Sequence, residues 1–532
     1  MAETGTKAES TRDVEKTEED EEDATDPIKQ SIGDFGKWQL FTCIALATCK
    51  IPVAWHQLGI VFLAPNINFT CIETVGNLGE VYKPIFSTLA IEDDPRCFKD
   101  GKECIKWEYD NSTFSSTIIS EWDLVCKKKE LADVAQTIYM LGVLAGSVLF
   151  GMAADKWGRK LPLMATVVLQ IVSGIATAYI EDYVLFLVLR FLDAAATGGE
   201  MVVSFVICME LLSKKWRALV SVLYHVPFFI GHCLLPVISY FIRDWRSYQL
   251  AISIPPVILL GYWWVVPESP RWLLAKNKKD DALKILRTAA KVNKLPQPEM
   301  EILELEGKKD EPVANGTIID LFRTPNLRKR SICILFNWIT SGFCFFGLAQ
   351  YMSKLGGNIF WNVAISGMME VPGSIFCIYF MEKHGRRITL RVANVVGGAA
   401  CLCILAVPED ADPIITVVLA ALGVVGMSVS FPTIYLYTGE LFPTVVRNVG
   451  VGTASMCARI GSTIAPFIAS LSYAWLPPLI FGILPMIGSV LTFFLPETKN
   501  TKLPNTIEDA ENYDFSKSTK KGVENKGYDS KE

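Results

Sequence analysis

Runs of about twenty consecutive apolar residues, repeated along the chain, constrain it more than any other feature. Residues 131–153, 161–180 and 414–437 are the clearest. At 1.5 Å of helix rise per residue, each run crosses about 30 Å of hydrocarbon. Further apolar spans fall near 38–63 (span 1), 183–209 (span 4), 218–242 (span 5) and 248–267 (span 6), with 131–153 and 161–180 as spans 2 and 3. After a gap come 331–350, 357–380, 388–407, 414–437, 449–471 and 476–495 as spans 7 to 12. Six spans plus six predict an all-α membrane protein of two six-helix bundles, 38–267 and 331–495.

The 532 residues would otherwise suggest several soluble domains, but 51% are hydrophobic and 20% charged. The net charge of −5 is too small to argue for nucleic acid as a partner, and much of the acidic excess sits in one run, Glu18 to Asp23. Residues 1–37 read as a polar acidic tail, expected to stay disordered because so few apolar groups cannot offset the entropy of ordering. No cleavable signal peptide is visible. Residues 268–330 form a linker with a Lys-rich amphipathic stretch from Trp272 to Val292, and 496–532 a charged tail expected to be disordered.

Lys and Arg near the span ends set orientation. Lys156, Arg159 and Lys160 follow span 2, Lys214, Lys215 and Arg217 follow span 4, and Lys383, Arg386 and Arg387 follow span 8. Opposite loops carry Glu181 and Asp182, or Glu409, Asp410 and Asp412. Both termini are therefore expected in the cytoplasm, although Arg243 and Arg246 fall in an outer loop. Residues 64–130 then face outside, where Cys71, Cys97, Cys104 and Cys126 predict two disulfides with three possible connectivities. Asn68-Phe69-Thr70 and Asn111-Ser112-Thr113 are glycosylation sequons in the same loop, whereas Asn315-Gly316-Thr317 would be cytoplasmic and bare. The other ten cysteines read as apolar filler within spans.

The halves share punctuation. Gly158-Arg159-Lys160 recurs as Gly385-Arg386-Arg387, Glu210 and Arg217 as Glu440 and Arg447, and Pro267-Glu268-Ser269 as Pro496-Glu497-Thr498. The offsets are 227 (385 less 158), 230 (440 less 210) and 229 (496 less 267). Matches at nearly one offset imply a duplication, with the bundles related about an axis along the membrane normal and a substrate site where they meet.

With these motifs the chain resembles the major facilitator superfamily. Over almost its whole length it is similar to the organic cation, anion and carnitine transporter family of solute carriers. The resemblance is carried by Glu121-Trp-Asp-Leu-Val-Cys126, Asp155-Lys-Trp-Gly-Arg-Lys160, Pro267-Glu-Ser-Pro-Arg-Trp272 and Gly439-Glu-Leu-Phe-Pro-Thr-Val-Val-Arg447. The glycine-arginine and proline-glutamate loops also occur in sugar porters; the cysteine-bearing outer loop is more specific. The resemblance implies a secondary transporter of the plasma membrane working by alternating access, with no cofactor and Na+ or H+ as coupling ion. It also implies that Asp155, Arg159, Glu210, Arg217, Arg386, Glu440 and Arg447 form salt bridges between the bundles when the inner gate shuts. A purely topological role is the alternative.

Two charges stand deep inside spans, Glu370 in span 8 and Arg459 in span 11. An unpaired charge at mid-bilayer costs roughly 2.5–3.5 kcal/mol on insertion scales, so both are functional candidates. They could neutralise each other, or meet a ligand. In the family's cation branch the position of Arg459 resembles an Asp, while anion and carnitine branches carry Arg; the anion branch has a Lys one turn after Glu370, where this chain has Ser374. That pattern implies a small zwitterion such as carnitine or β-alanine, its carboxylate on Arg459 and its ammonium facing Glu370. An organic anion carrier and a sugar facilitator are the alternatives.

Gln57, His56, Phe205, His225, Phe228, Trp338, Phe345, Tyr435 and Tyr437 match or adjoin family cavity positions, and aromatic faces suit alkylammonium groups. His56 or His225 could carry a coupled proton. His225 and His232 share a helix face about 10.5 Å apart, too far for one metal ion. Arg190 and Asp193 are spaced to pair on one face, and the roles of Lys50 and Glu200 stay open. No zinc-protease spacing, nucleophile elbow or phosphate-binding glycine loop appears, which argues against an enzyme or an ATP-driven pump.

Overall fold

The computed structural model describes residues 27–74, 95–99, 102–299, 317–408, 410–443, 445–471, 473–499, 504 and 506–512. The acidic run, Asn315, Glu409 and residues 513–532 lie outside the described residues. Among the described residues eleven helical segments are long and apolar enough to cross a membrane, from Lys37–Leu63 to Leu476–Phe494. They take up every span except span 11. That span is the helix Arg447–Ala469, whose apolar character is diluted by Arg459 and by small polar residues. It packs on Pro325–Lys354 (span 7) and on Lys129–Trp157 (span 2), so its polarity faces protein.

Three spans are built irregularly. Span 1 runs as Lys37–Thr48, Lys50–Leu58 and Ile60–Leu63. Span 5 combines Lys214–Leu223 with Val226–Phe241, and span 6 changes from Trp245–Ser253 to a 3-10 turn, Pro255–Gly261, where paired prolines remove backbone donors. The bundles meet where Val226–Phe241 packs on Ile359–His384 (span 8) and where spans 2 and 11 pack together.

The duplicated motifs make one local structure twice. Gly158 and Gly385 end spans 2 and 8 at φ of +99° and +87°, a backbone region that favours glycine. A Cβ there would also lie 2.5 Å from Glu268 Oε2, or 2.6 Å from Glu497 Oε1. Each glutamate accepts from the backbone N–H groups opening the next helix: Glu268 from Arg159 (2.7 Å) and Lys160 (3.2 Å), Glu497 from Arg386 (2.8 Å) and Arg387 (3.1 Å). The proline-glutamate motif of each half thus clamps the glycine-arginine loop of the same half, with a carboxylate at a helix N-terminus.

The outer loop folds around a three-stranded antiparallel sheet that the hydropathy pattern did not predict. Strands β1 (Phe69–Thr74), β2 (Phe98–Lys99) and β3 (Lys102–Tyr109) lie in the order β1-β3-β2. Cys71–Cys104 joins β1 to β3, and Cys97–Cys126 ties the sheet to the approach to span 2. Asn68 and Asn111 are exposed.

Both tails depart from the expectation of disorder in their described parts. Pro27–Ile32 is a helix whose Ile28 and Ile32 pack on Leu283, Leu286 and Ala289 of the linker helix Lys279–Asn293. Neither short amphipathic element could bury its apolar face alone; together they do. At the other end Ile507–Asn512 is helical, and the Glu511 carboxylate accepts from the Asn326 (3.0 Å) and Leu327 (3.2 Å) N–H groups at the start of span 7.

Candidate functional site

Glu370 and Arg459 face neither lipid nor each other; both turn from the second bundle toward the first. Glu370, fully buried, lies with Oε1 3.0 Å from His232 Nδ1 of span 5, and its Oε2 has no hydrogen-bond partner among the described residues. Arg459 is half-buried, and its Nη2 reaches Met201 Sδ of span 4 at 3.8 Å. No carboxylate among the described residues lies within 4.0 Å of its guanidinium. Gln57 donates to the same sulfur at 3.0 Å. Met201 therefore joins spans 1, 4 and 11, a role no charge or motif announced.

Aromatic rings from both bundles continue this surface. Tyr435 of span 10 stands 4.3 Å from Trp338, 6.2 Å from His225 and 6.3 Å from Phe205, between ring centroids. Phe228 meets Phe345 at 6.2 Å, which meets Phe431 at 5.7 Å. Phe205, His225 and Tyr435 are half-buried, so this surface retains access to solvent. Lys50, buried, lies 5.1 Å from the Tyr224 ring and interacts electrostatically with both Arg459 and Glu200.

Two expected lining residues lie elsewhere. His56 Nδ1 is 2.9 Å from Asp193 Oδ2, both buried inside the first bundle. The buried Asp193 carboxylate thus has the His56 ring beside it. Arg190, instead of pairing directly with Asp193, donates to Gln136 (3.3 Å) and stacks on Tyr139 at 4.5 Å. Tyr437 donates to the Pro496 carbonyl within the second bundle and is buried. It stands two residues from Tyr435, roughly 200° around the helix, so the two cannot share a face.

The inner charges pair within bundles. Arg159 bonds Glu210 (3.0 Å) and Asp155 (2.6 Å); Arg386 bonds Glu440 (2.9 Å). Arg217 Nε donates to the Leu212 carbonyl (3.2 Å), and Arg447 Nε repeats this with Phe442 (3.3 Å). Burial opposes the Arg159 charge, but Glu210 and Asp155 outweigh it and hold that guanidinium above its ordinary value. Of the expected bridges between bundles, those of Arg159 and Arg386 are made instead with acids of their own bundle, because each of these two arginines stands at the start of a helix beside Glu210 or Glu440.

Cross-bundle contacts close the outer end instead. Asp133 of span 2 lies 3.7 Å from Lys354 of span 7 and accepts from Ser470 Oγ at 2.5 Å; Thr137 donates to the Thr463 carbonyl at 3.1 Å. Phe360 at the start of span 8 stacks on Phe62 at 5.8 Å and lies tilted against Phe114 at 5.7 Å, with the Arg243 guanidinium 4.6 Å from its ring. The outer end is closed across the bundles, while at the inner end Arg159 and Arg386 pair with acids of their own bundles.

Comparison with known proteins agrees with this architecture. A family described as "Sugar (and other) transporter" matches residues 113–509. An organic cation transporter protein of Drosophila melanogaster is 36% identical over 520 residues, covering 92% of this chain and 94% of the relative. Solute carrier family 22 member 3 of Rattus norvegicus is 38% identical over 410 residues (76% and 73%), and member 6-B of Xenopus laevis 32% identical over 523 (92% and 94%). Among solved structures, the partially occluded inward open conformation of the E. coli xylose transporter XylE superposes with a TM-score of 0.61 at 16% identity, covering 88% of this chain and all of that one.

Proposed function

The chain belongs to the major facilitator superfamily and, within it, to the solute carrier family 22 transporters of organic ions, and on that premise we propose that its cargo is a small organic ion bearing a carboxylate. Carnitine, β-alanine and related amino compounds are the first candidates. The observation that carries this reading is Arg459, half-buried at the bundle interface with a methionine sulfur in contact and no carboxylate beside it among the described residues. A buried guanidinium is poorly satisfied by sulfur and well satisfied by a bidentate carboxylate. Glu370 Oε2 is the free acceptor for the ammonium end, and Phe205, Trp338 and Tyr435 supply faces for alkyl groups. The inner arginines and acids act as the gate, Asn68 and Asn111 carry glycans, and the protein works in the plasma membrane with both termini inside.

The test is uptake by expressing cells over carnitine, β-alanine, tetraethylammonium and p-aminohippurate. Arg459→Asp is expected to raise KM for the carboxylated amines by about ten-fold or more, the worth of one charge-assisted pair, while sparing tetraethylammonium. Equal loss of all substrates would reduce Arg459 to a structural role. Glu370→Gln is expected to weaken ammonium-bearing cargo only.

A second reading, an organic anion carrier, is favoured by Lys50, a second basic side chain that interacts electrostatically with Arg459. Preference for p-aminohippurate over β-alanine, lost in Lys50→Gln, would establish it. Glucose competition with any of these labels would favour a sugar facilitator.

A further inference from the structure

The first bundle contributes two histidines to buried carboxylate pairs, and only one pair crosses a moving boundary. His56 and Asp193 lie on spans 1 and 4 of the same bundle, 2.9 Å apart. His232 and Glu370 lie on spans 5 and 8 of opposite bundles, 3.0 Å apart. An ion drives alternation only if its binding free energy differs between the two access states. A pair inside one bundle moves as a rigid body and keeps its geometry when the bundles rock. A pair across the interface is remade or broken.

Glu370 also has an unused oxygen. Oε1 meets the imidazole, while Oε2 is buried without a partner among the described residues. A protonated His232 and a cationic cargo group would be like charges sharing one carboxylate in a medium of low dielectric, so each weakens the other. Such coupling is reciprocal.

The titratable groups on the surrounding elements have other engagements. On span 1, Lys50 lies against Tyr224 and His56 against Asp193. On span 5, His225 meets the Ser221 carbonyl at 2.9 Å, and Cys233 is a thiol interacting electrostatically with Glu370. Tyr248 of span 6 meets Phe62 edge-on, Tyr351 of span 7 lies tilted against Phe481, and Tyr435 of span 10 meets Trp338 edge-on. None of these is a second carboxylate for His232.

We propose that a proton is the coupling ion, that His232 held against Glu370 is its site, and that it moves opposite to the cationic cargo. With Nδ1–H donating to Glu370 Oε1, the proton adds to the Nε2 lone pair from water on the side where cargo has left. It returns to water on the other side when the next cargo reaches Oε2. This rests on the carrier reading above.

The test uses the full chain in phosphatidylcholine liposomes with labelled β-alanine or tetraethylammonium, at internal pH 6.0 and external 7.5 against 7.5 on both sides. One coupled proton across this gradient supports at most about 30-fold accumulation, and several-fold stimulation is expected. His232→Gln is expected to lose the stimulation while still exchanging label in counterflow; His56→Gln is expected to keep it. Accumulation that ignores the gradient, or stimulation surviving in His232→Gln, overturns the proposal.

If neither label moves even in counterflow, the cargo reading fails and the proton site is judged alone. The chain has four histidines, so ring carbon-13 labelling gives four NMR signals, assigned by loss in the single His→Gln variants. The His232 signal is expected to change between samples at pH 7.5 and pH 6.0, and Glu370→Gln is expected to alter that change. A flat signal, or one unmoved by Glu370→Gln, overturns the proposal.

Discussion

The two ends of the molecule treat charge in opposite ways. At the inner end the charges are dense and duplicated, and each pair stays inside its own bundle: Arg159 with Glu210, Arg386 with Glu440. At the outer end one ion pair among the described residues, Asp133 with Lys354, crosses between bundles and is backed by Phe62 and Phe360. The difference is what the gate proposed for these charges requires, beyond a role in topology. Where the bundles are held together, the pair joins them; where they are not, carboxylates and arginines satisfy each other locally and keep their solvated remainder available. Two packings that differ by a few such pairs are what rocking bundles require.

The largest expected effect lies at the inner end. Arg159→Ala and Arg386→Ala each strand a partly buried glutamate, Glu210 or Glu440, while keeping the backbone N–H groups that Glu268 and Glu497 clamp. Each is expected to lower initial uptake by about ten-fold or more at equal surface expression, a loss of about 1.4 kcal/mol or more. The exchange Arg159→Glu with Glu210→Arg sharpens the contrast. If the pair is only a staple within one bundle, the exchange restores uptake. If Arg159 must also meet the other bundle when the gate closes, transport stays low although the protein is folded and at the surface.

A smaller effect is expected outside. Asp133→Ala removes this charge tie across the outer seal while leaving the aromatic contacts, and the partly covered pair is expected to contribute about 0.5–1 kcal/mol. The balance is therefore expected to move about two- to five-fold toward the outward-open state. It would be read as faster modification, by a membrane-impermeant thiol reagent, of a cysteine placed at Thr463. An unchanged rate would show that Phe62, Phe114 and Phe360 hold the seal without the ion pair.

Why some of this was legible beforehand follows from what each signal encodes. Hydropathy reads depth, and depth placed Glu370 and Arg459 correctly inside their spans. It does not read rotation about the helix axis, so Tyr435 and Tyr437 looked alike although they face opposite ways, and His56 looked like lining although it serves Asp193. The duplication exposed both halves of the inner clamp, but not that Glu268 and Glu497 grip Gly158 and Gly385, since that contact closes over about 110 residues of chain (268 less 158, and 497 less 385). Asp133 and Lys354 each resemble an ordinary charge at a span end; only the packing of spans 2, 7 and 11 makes them partners. The helix at Pro27–Ile32 was unreadable for a related reason, because its apolar face acquires meaning only against Lys279–Asn293.

The smallest effect concerns how the outer loop leans on the seal. Asp244 caps the helix Trp245–Ser253, accepting from the Ser247 N–H at 2.8 Å and from the Ser116 hydroxyl. Burial by itself would raise its carboxyl, but these donors outweigh it and hold the group below the ordinary carboxylate range. A depressed folded value means that the contribution is present at neutral pH and lost as pH falls through that value. Ser116 stands two residues from Phe114, which packs on Phe360, so releasing Asp244 loosens one edge of the seal and leaves the Asp133–Lys354 tie in place. Asp244→Asn at pH 7 is expected to raise amide exchange over residues 113–122 by about two- to five-fold, the worth of one hydrogen bond of 0.5–1 kcal/mol, with little change in the Thr463 labelling rate. Equal change at both places would mean that loop and ion pair form one cooperative outer gate.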